Sequence, residues 1–315
     1  MLGNFSIRLE NLLKATLLSV ALVAAAVHPA AALADSTPAS VPSRNQASVK
    51  FSKGLLWKIE TAGRAPSYLF GTIHSADPRI TTLPDVVRSR FDRASSFTME
   101  MLISGTGIAT MAEAMFFEGR QTLRAVIGDE LYSQAKQALV DHGLPTRDLN
   151  KKKPWVVIML LSIPQAEAGL PLDMLLQLEA TVQGKPTYGL ESMAEQIAVF
   201  DGMPLDDQIA LLRDTMQMRV EVRRQFEELL QAYRDRDLHA LIELVYGYKS
   251  AATAEAYESM LERLLTRRNL VMVKRMAPRL NEGNAFIAVG AAHLPGESGL
   301  LNLLERAGYR LSPLY

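Results

Sequence analysis

Apolar and polar positions fall into three regimes along the chain. After residue 49, two β-rich runs, Leu55 to Ile59 and Ser67 to Thr72, are separated by Gly63, Ala65 and Pro66, which predicts a hairpin. A loop through Asp77 and Pro78 follows. Asp85 to Ala94 then reads as a helix and Ser96 to Met101 as a third strand. From Gly105 to about Glu282 the period becomes helical, with Ile209, Leu212, Met216 and Val220 recurring at spacings of three and four. Two segments interrupt that pattern. Lys185 to Glu191 reads as a short strand leading into a helix that carries Glu195 and Gln196. Trp155 to Ile163 is almost wholly apolar, too short to span a bilayer, and reads as a buried helix. The run Lys151 to Lys153 before it reads as a solvated helix start, with an acidic-ligand site as the alternative. In the third regime Asn284 to Val289 is a strand, Gly299 to Arg306 a helix, and Tyr309 to Leu314 a final strand.

The pattern predicts an α/β fold, with α+β as the variant. A mixed β-sheet core is formed by N- and C-terminal strand–helix–strand units, and a large, mostly helical insertion occupies about 105–282. Setting Gly71 on Gly290 and His74 on His293 suggests a weak internal duplication, in which equivalent strand ends bring the two histidines together.

The first residues read as an address. Arg8 and Lys14 precede an apolar run from Ala15 to Val27, and Ala32-Leu33-Ala34 supplies small residues before Asp35. Residues 1–34 are therefore expected to be a signal peptide cleaved after Ala34. The run is too short to remain as a span, and no cysteine follows to carry a lipid. Residues 35–48, rich in Ser, Pro, Ala and Asn, read as a flexible leader, and 49–315 as a single domain. The expectation is a periplasmic or secreted protein without stable membrane insertion.

Composition narrows the chemistry. The 34 basic and 34 acidic residues leave no net charge, which argues against a general nucleic-acid-binding surface. The chain has no cysteine, which removes disulfides, thiolate nucleophiles and thiolate metal sites. Any metal must be held by His, Asp, Glu or neutral oxygens. The signatures His-Glu-x-x-His, Gly-x-Ser-x-Gly and Gly-x-x-x-x-Gly-Lys-Ser/Thr are missing. Gly105-Thr106-Gly107 begins a dinucleotide pattern, but position 110 is Thr and the strand-to-helix context is unconvincing.

His74 and His293 each follow an apolar strand as Gly-x-x-His, after Gly71 and Gly290. Glycine at a strand end permits a sharp turn or a close approach, and the carboxyl edge of an open α/β sheet is where ligands bind. Glu100 interrupts a strand otherwise free of charge, so it either faces water on an edge or is paired or bound to a cation. Glu191 ends another strand and is a second candidate, or a cap of the next helix. Asp77 is a third, with Asp-Pro turn chemistry as the competing account. His142 and His239 read as structural, and Met99, Met101, Met111 and Met115 as core filler. Two histidines with one or two carboxylates suit Mn, Fe, Co or Zn.

These residues carry a resemblance. Leu56-Trp57-Lys58, Tyr68 to His74, Glu100, Gly189-Leu190-Glu191 with Glu195-Gln196, Arg268-Asn269, and Val289 to Gly296 together resemble the TraB/GumN family, which includes the animal Tiki proteins. The resemblance implies a compact α/β core with a helical insert and, for Tiki proteins, metal-dependent peptide hydrolysis. That pattern maps onto His74, His293 and Glu100 as metal site, with Glu100 also catalytic. Glu191 is then a base or further ligand, and Arg268 and Asn269 steady the site or lie on a helix surface. The expected protein is an exported metal-dependent hydrolase acting on a peptide or protein substrate. Two readings stand beside it: a non-catalytic periplasmic binding or assembly factor, with a link to polysaccharide production as one form of it, and ester or glycan chemistry at a metal-free His/Glu cluster.

Overall fold

The computed structural model describes residues 50–162, 169–218, 222–247 and 253–315. The expected signal peptide and leader, and the positions Ile163 and Val220, lie outside the described residues.

Six strands form one mixed sheet: β1 (Leu56–Glu60), β2 (Ser67–Thr72), β3 (Ser96–Met101), β4 (Thr187–Glu191), β5 (Ala285–Gly290) and β6 (Arg310–Pro313). Their order across the sheet is β4-β3-β5-β2-β1-β6. The predicted hairpin is present, with Leu56 opposite Phe70 and Ile59 opposite Ser67. β5 lies parallel between β2 and β3, pairing Phe70 with Ala288 on one side and Met99 with Ala288 on the other. β3 pairs in parallel with β4, so β2, β5, β3 and β4 all end at the same edge. The expected mixed sheet of N- and C-terminal units is therefore present, and its far strand comes from within the helical insertion.

Burial explains the layout. Every residue of β3 and β5 is buried, as strands covered on both faces must be. Below the sheet, Phe91 of the helix Asp85–Arg93 meets Phe97 at 5.7 Å and Phe286 at 5.4 Å between ring centroids, both edge to face. The apolar helix Pro154–Ser162 is buried as predicted, and Leu212 of the helix Leu205–Met218 is buried with Ile209 and Met216 packed beside the core. Met99, Met101, Met111 and Met115 are core residues.

One expectation and two accompanying readings need correction. Of the lysine run only Lys151 is solvated: Lys152 lies 4.5 Å from the Phe116 ring centroid, and Lys153 Nζ donates to Asp201 at 2.7 Å, beside the Trp155 indole N–H on the same oxygen. β3 does lead into a helix, Gly105–Ala114. Its start is capped by the Ser104 hydroxyl, however, and Gly107 packs against Met193 while Gly105 has open space around it, so Gly107 serves helix packing. Finally, β4 does not end in a self-capping Glu191. Ser192 is the N-cap, in a reciprocal capping box with Glu195. Among the described residues no helix is long and apolar enough to cross a membrane.

Candidate active site

The common edge of β2, β5, β3 and β4 gathers the residues singled out above. Glycine at Gly71 allows a close approach, since a Cβ there would stand 2.8 Å from Leu294 Cδ1 and 3.1 Å from Ala291, which would have to shift. That close approach lets β2 lie against the 3₁₀ turn Ala291–His293, which follows β5 and carries the buried His293. Gly290 contributes its backbone: its N–H donates to Glu100 Oε1 at 2.6 Å, binding β5 to the carboxylate of β3.

Glu100 sits in a central strand and is 8% exposed, so it is not the water-facing edge residue that was the alternative. Its other oxygen accepts from Arg268 Nη2 at 2.6 Å. The same guanidinium grips Glu191 with Nε at 3.0 Å to both oxygens and Nη2 at 2.7 Å, and donates Nη1 to the Leu264 carbonyl. Gln196 Nε2 lies 3.4 Å from Glu100 and 3.3 Å from Glu191, bridging the two acids from the helix Met193–Asp201. Arg268 is thus the buried centre of a two-carboxylate cluster, not a helix-surface residue.

Local backbone places it there. A helix from Ala254 to Leu261 passes through a π segment, Glu262–Arg267, directly into the helix Arg268–Glu282. The wider π turn shifts the facing of the next residues. Two consecutive residues, Arg268 and Asn269, consequently serve the site: the first reaches Glu100 and Glu191, the second His293.

His293 is fully buried. Its Nδ1 lies 2.6 Å from Asn269 Oδ1, and the Asn269 amide nitrogen is committed to the Ser298 carbonyl at 2.8 Å, so Nδ1 carries the proton and Nε2 the lone pair. Among the described residues that Nε2 has no hydrogen-bond partner, and it stands 3.6 Å from Glu100 Oε1. Burial pushes the imidazole down to about 4, with the Arg268 charge adding to it and Glu100 opposing. Burial alone would raise the Glu100 carboxyl, but the Arg268 guanidinium above all, with the Gly290 N–H, holds it at about 2.

His74, just beyond β2, is the outermost member, and its Nδ1 lies 2.6 Å from Asp173 Oδ2. Burial works against the His74 imidazolium, yet the Asp173 carboxylate outweighs it and raises the pKa above the ordinary value, with Glu100 contributing. Asp77 stays apart, capping the short helix Pro78–Thr81 and pairing with Arg79, as turn chemistry suggested. His142 is the C-cap of the helix Asp129–Asp141, and His239 is exposed.

Two contributors went unpredicted. Asp173, buried in the first turn of the helix Leu172–Val182, carries the ordinary sequence signal of a helix-start acid. Tyr233, buried, donates its hydroxyl to the Gly71 carbonyl at 2.9 Å, and reads in sequence as one more apolar position on an amphipathic helix.

The cluster has the chemistry of a cation site in its donors and charge. Three carboxylates, Glu100, Glu191 and Asp173, lie about the single fixed cation Arg268, and His293 presents a buried lone pair. Among the described residues no group of three His, Asp or Glu donors is already gathered around one point.

Comparisons with known proteins accord with this layout. The chain is 26% identical to the metalloprotease TIKI2 of Danio rerio over 318 residues, covering 84% of this chain and 61% of the relative. It is 26% identical to the metalloprotease TIKI1 of Homo sapiens over 309 residues, covering 81% and 61%. It is also 24% identical to the uncharacterized protein YbaP of Escherichia coli (strain K12) over 255 residues, covering 78% of this chain and 90% of that one. The chain spans about three-fifths of the length of these Tiki proteins, and no solved structure matches it. Residues 55–313, from the start of the hairpin to the end of β6, match the TraB/PrgY/gumN family, and the chain belongs to it.

Proposed function

We propose that this protein is an exported hydrolase that cleaves peptide bonds in a peptide or protein substrate, using a divalent metal ion held by His74, His293 and Glu100. The observation that carries the reading is the His293 Nε2 lone pair: fully buried, fixed in tautomer by Asn269, and facing Glu100. An unpaired buried nitrogen of that kind is unfavourable unless something occupies it. The Tiki relatives named as metalloproteases support a metal in that role. When bound, such an ion supplies Lewis-acid chemistry to a scissile carbonyl and to water.

The chain's own residues have separate tasks. Arg268 holds the Glu100 carboxylate and pairs with Glu191 at the same time, so one cation offsets the closeness of the two acids. His293 stays neutral through burial and offers only its lone pair. His74, with 16% side-chain exposure against none for His293, stands on the more open side of the cluster, where a substrate would arrive. Export rests on the charged, apolar and small-residue pattern of residues 1–34.

The test is elemental analysis of tag-free mature protein beside the His74→Ala, His293→Ala double variant, followed by a peptide-library screen with Mn, Co, Zn and Fe. Near-stoichiometric metal that disappears from a still-folded variant, with turnover at low protein concentration, is expected. One observation favours the binding or assembly factor instead: both Glu100 oxygens are already engaged, by Gly290 and Arg268. Failure to take up metal after reconstitution, with one-to-one saturation and no product, would establish that second reading.

A further inference from the structure

His74 and His293 share a problem, since a histidine useful through Nε2 must have its other nitrogen held by something else. For His293 that partner is Asn269. For His74 the geometry points to a residue distant in sequence.

Asp173 is 5% exposed, and its two oxygens are divided between two residues of the β2 end. Oδ1 accepts the Thr72 hydroxyl at 2.5 Å, and Oδ2 lies 2.6 Å from His74 Nδ1. The pair is a close contact of opposite charge rather than a linear hydrogen bond, because Oδ2 lies off the line of the ring N–H. A carboxylate oxygen and a bare ring nitrogen are both acceptors and would repel at 2.6 Å; the proton must therefore lie on Nδ1. The backbone repeats the link, with Leu172 N–H donating to the Ser75 carbonyl at 3.1 Å. The loop that carries His74 and the helix start that carries Asp173 are thus joined by three contacts. The N-terminus of the helix Leu172–Val182 also favours a negative charge at that position.

We propose that Asp173, anchored by Thr72, is the positioning residue of His74, holding its imidazole as the Nδ1–H tautomer so that Nε2 is the nitrogen offered to the site. It does not touch the reacting atoms. The proposal rests on the hydrolase reading for its use, but its core is a statement about a tautomer that stands in metal-free protein.

The experiment therefore has two arms. In metal-free wild-type protein selectively labelled with ¹⁵N-histidine, two-bond proton–nitrogen correlation is expected to show His74 with a pyrrole-like Nδ1 and a pyridine-like Nε2. Asp173→Asn is expected to give the other tautomer or a mixture, leaving His293 unchanged. In the second arm, Mn²⁺ binding is measured by calorimetry. Loss of an outer-shell partner typically weakens metal affinity by roughly 10–100-fold, and Asp173→Asn is expected to fall in that range. Thr72→Val, which keeps the carboxylate but frees it, is expected to shift both readouts in the same direction by less, and it decides the matter if Asp173→Asn does not fold. A His74 tautomer unchanged in the folded variants overturns the proposal. Absence of Mn²⁺ binding in the wild type, with the tautomer shift still present, overturns the metal reading and leaves the role of Asp173 standing.

Discussion

Replacing Arg268 by methionine removes the cation that contacts both buried carboxylates, Glu100 and Glu191, while keeping a long apolar side chain in its place. The guanidinium makes four short contacts with Glu100 and Glu191, at 2.6, 2.7, 3.0 and 3.0 Å. Against the opposing effect of burial, Arg268 first of all, with His293, the Gly290 N–H and His74 adding, brings Glu100 to about 2 against an ordinary 4.5. At about 1.4 kcal/mol per pH unit that difference is worth about 3 kcal/mol. Leaving one side of a buried ion pair unmatched typically destabilises by 3–5 kcal/mol, so a loss of about 3 kcal/mol or more is expected in urea unfolding at pH 7. The sign of the pH dependence follows. Glu100 is more acidic when folded, so its contribution is present above pH 4.5 and is lost as pH falls towards 2; in Arg268→Met that acid limb should vanish. Adding Glu191→Gln should restore part of the stability by removing one of the stranded charges. Arg275→Met is the control, because Arg275 pairs with Glu195 at the surface, where such pairs contribute at most about 1 kcal/mol. If Arg268→Met lost no more than Arg275→Met, and Glu191→Gln brought no recovery, the buried cluster would not hold this edge of the sheet together.

Other outcomes follow from single contacts. His293 ionises near 4 when folded and near 6.5 when unfolded, so the unfolded chain takes up the proton first. Chelator-treated protein should accordingly lose up to about 3 kcal/mol between pH 6.5 and 4, with a shallower slope in His293→Gln. Gly71→Ala forces a methyl group into Leu294 and Ala291 and should destabilise by about 1–3 kcal/mol, whereas Gly105→Ala, with open space around it at a helix start, should be neutral or stabilising by denaturant midpoint. Tyr233→Phe leaves the Gly71 carbonyl without its donor in a buried setting, and a loss of about 1–3 kcal/mol by the same measurement is expected.

How much of this was legible in the sequence depends on how local each signal is. The hairpin, β3 and β5 were readable because strand runs and their bounding glycines are local, and Glu100 announced itself as a charge inside an apolar strand. Gly71 and Gly290 were readable as a pair of Gly-x-x-His steps, although Gly71 serves close packing and keeps an ordinary backbone conformation. Arg268 was ambiguous because Arg267-Arg268-Asn269 looks like any polar turn of a helix. Only the π segment before it, which leaves no compositional trace, sends Arg268 inward while Arg267 pairs with Glu262 outside. Asp173 was hidden for another reason: its partner lies 99 positions earlier in the chain, and the acid itself satisfies a common helix-start preference. Sequence periodicity reports which face a residue occupies, not which distant side chain meets it.

The place of β5 in the sheet bears on how the molecule is made. β2 and β3 lie close together in the sequence, but the strand between them arrives only at residues 285–290. Until that part of the chain has been synthesised, both strands present open edges at what will be the centre of the protein, a state prone to pairing with other chains. Pairings this remote in sequence also slow the final closure. A nascent or truncated chain lacking its last thirty or so residues would therefore have its defect in the middle of the fold, with Glu100 deprived of the Gly290 amide, and would depend on protection from aggregation for as long as the gap stays open.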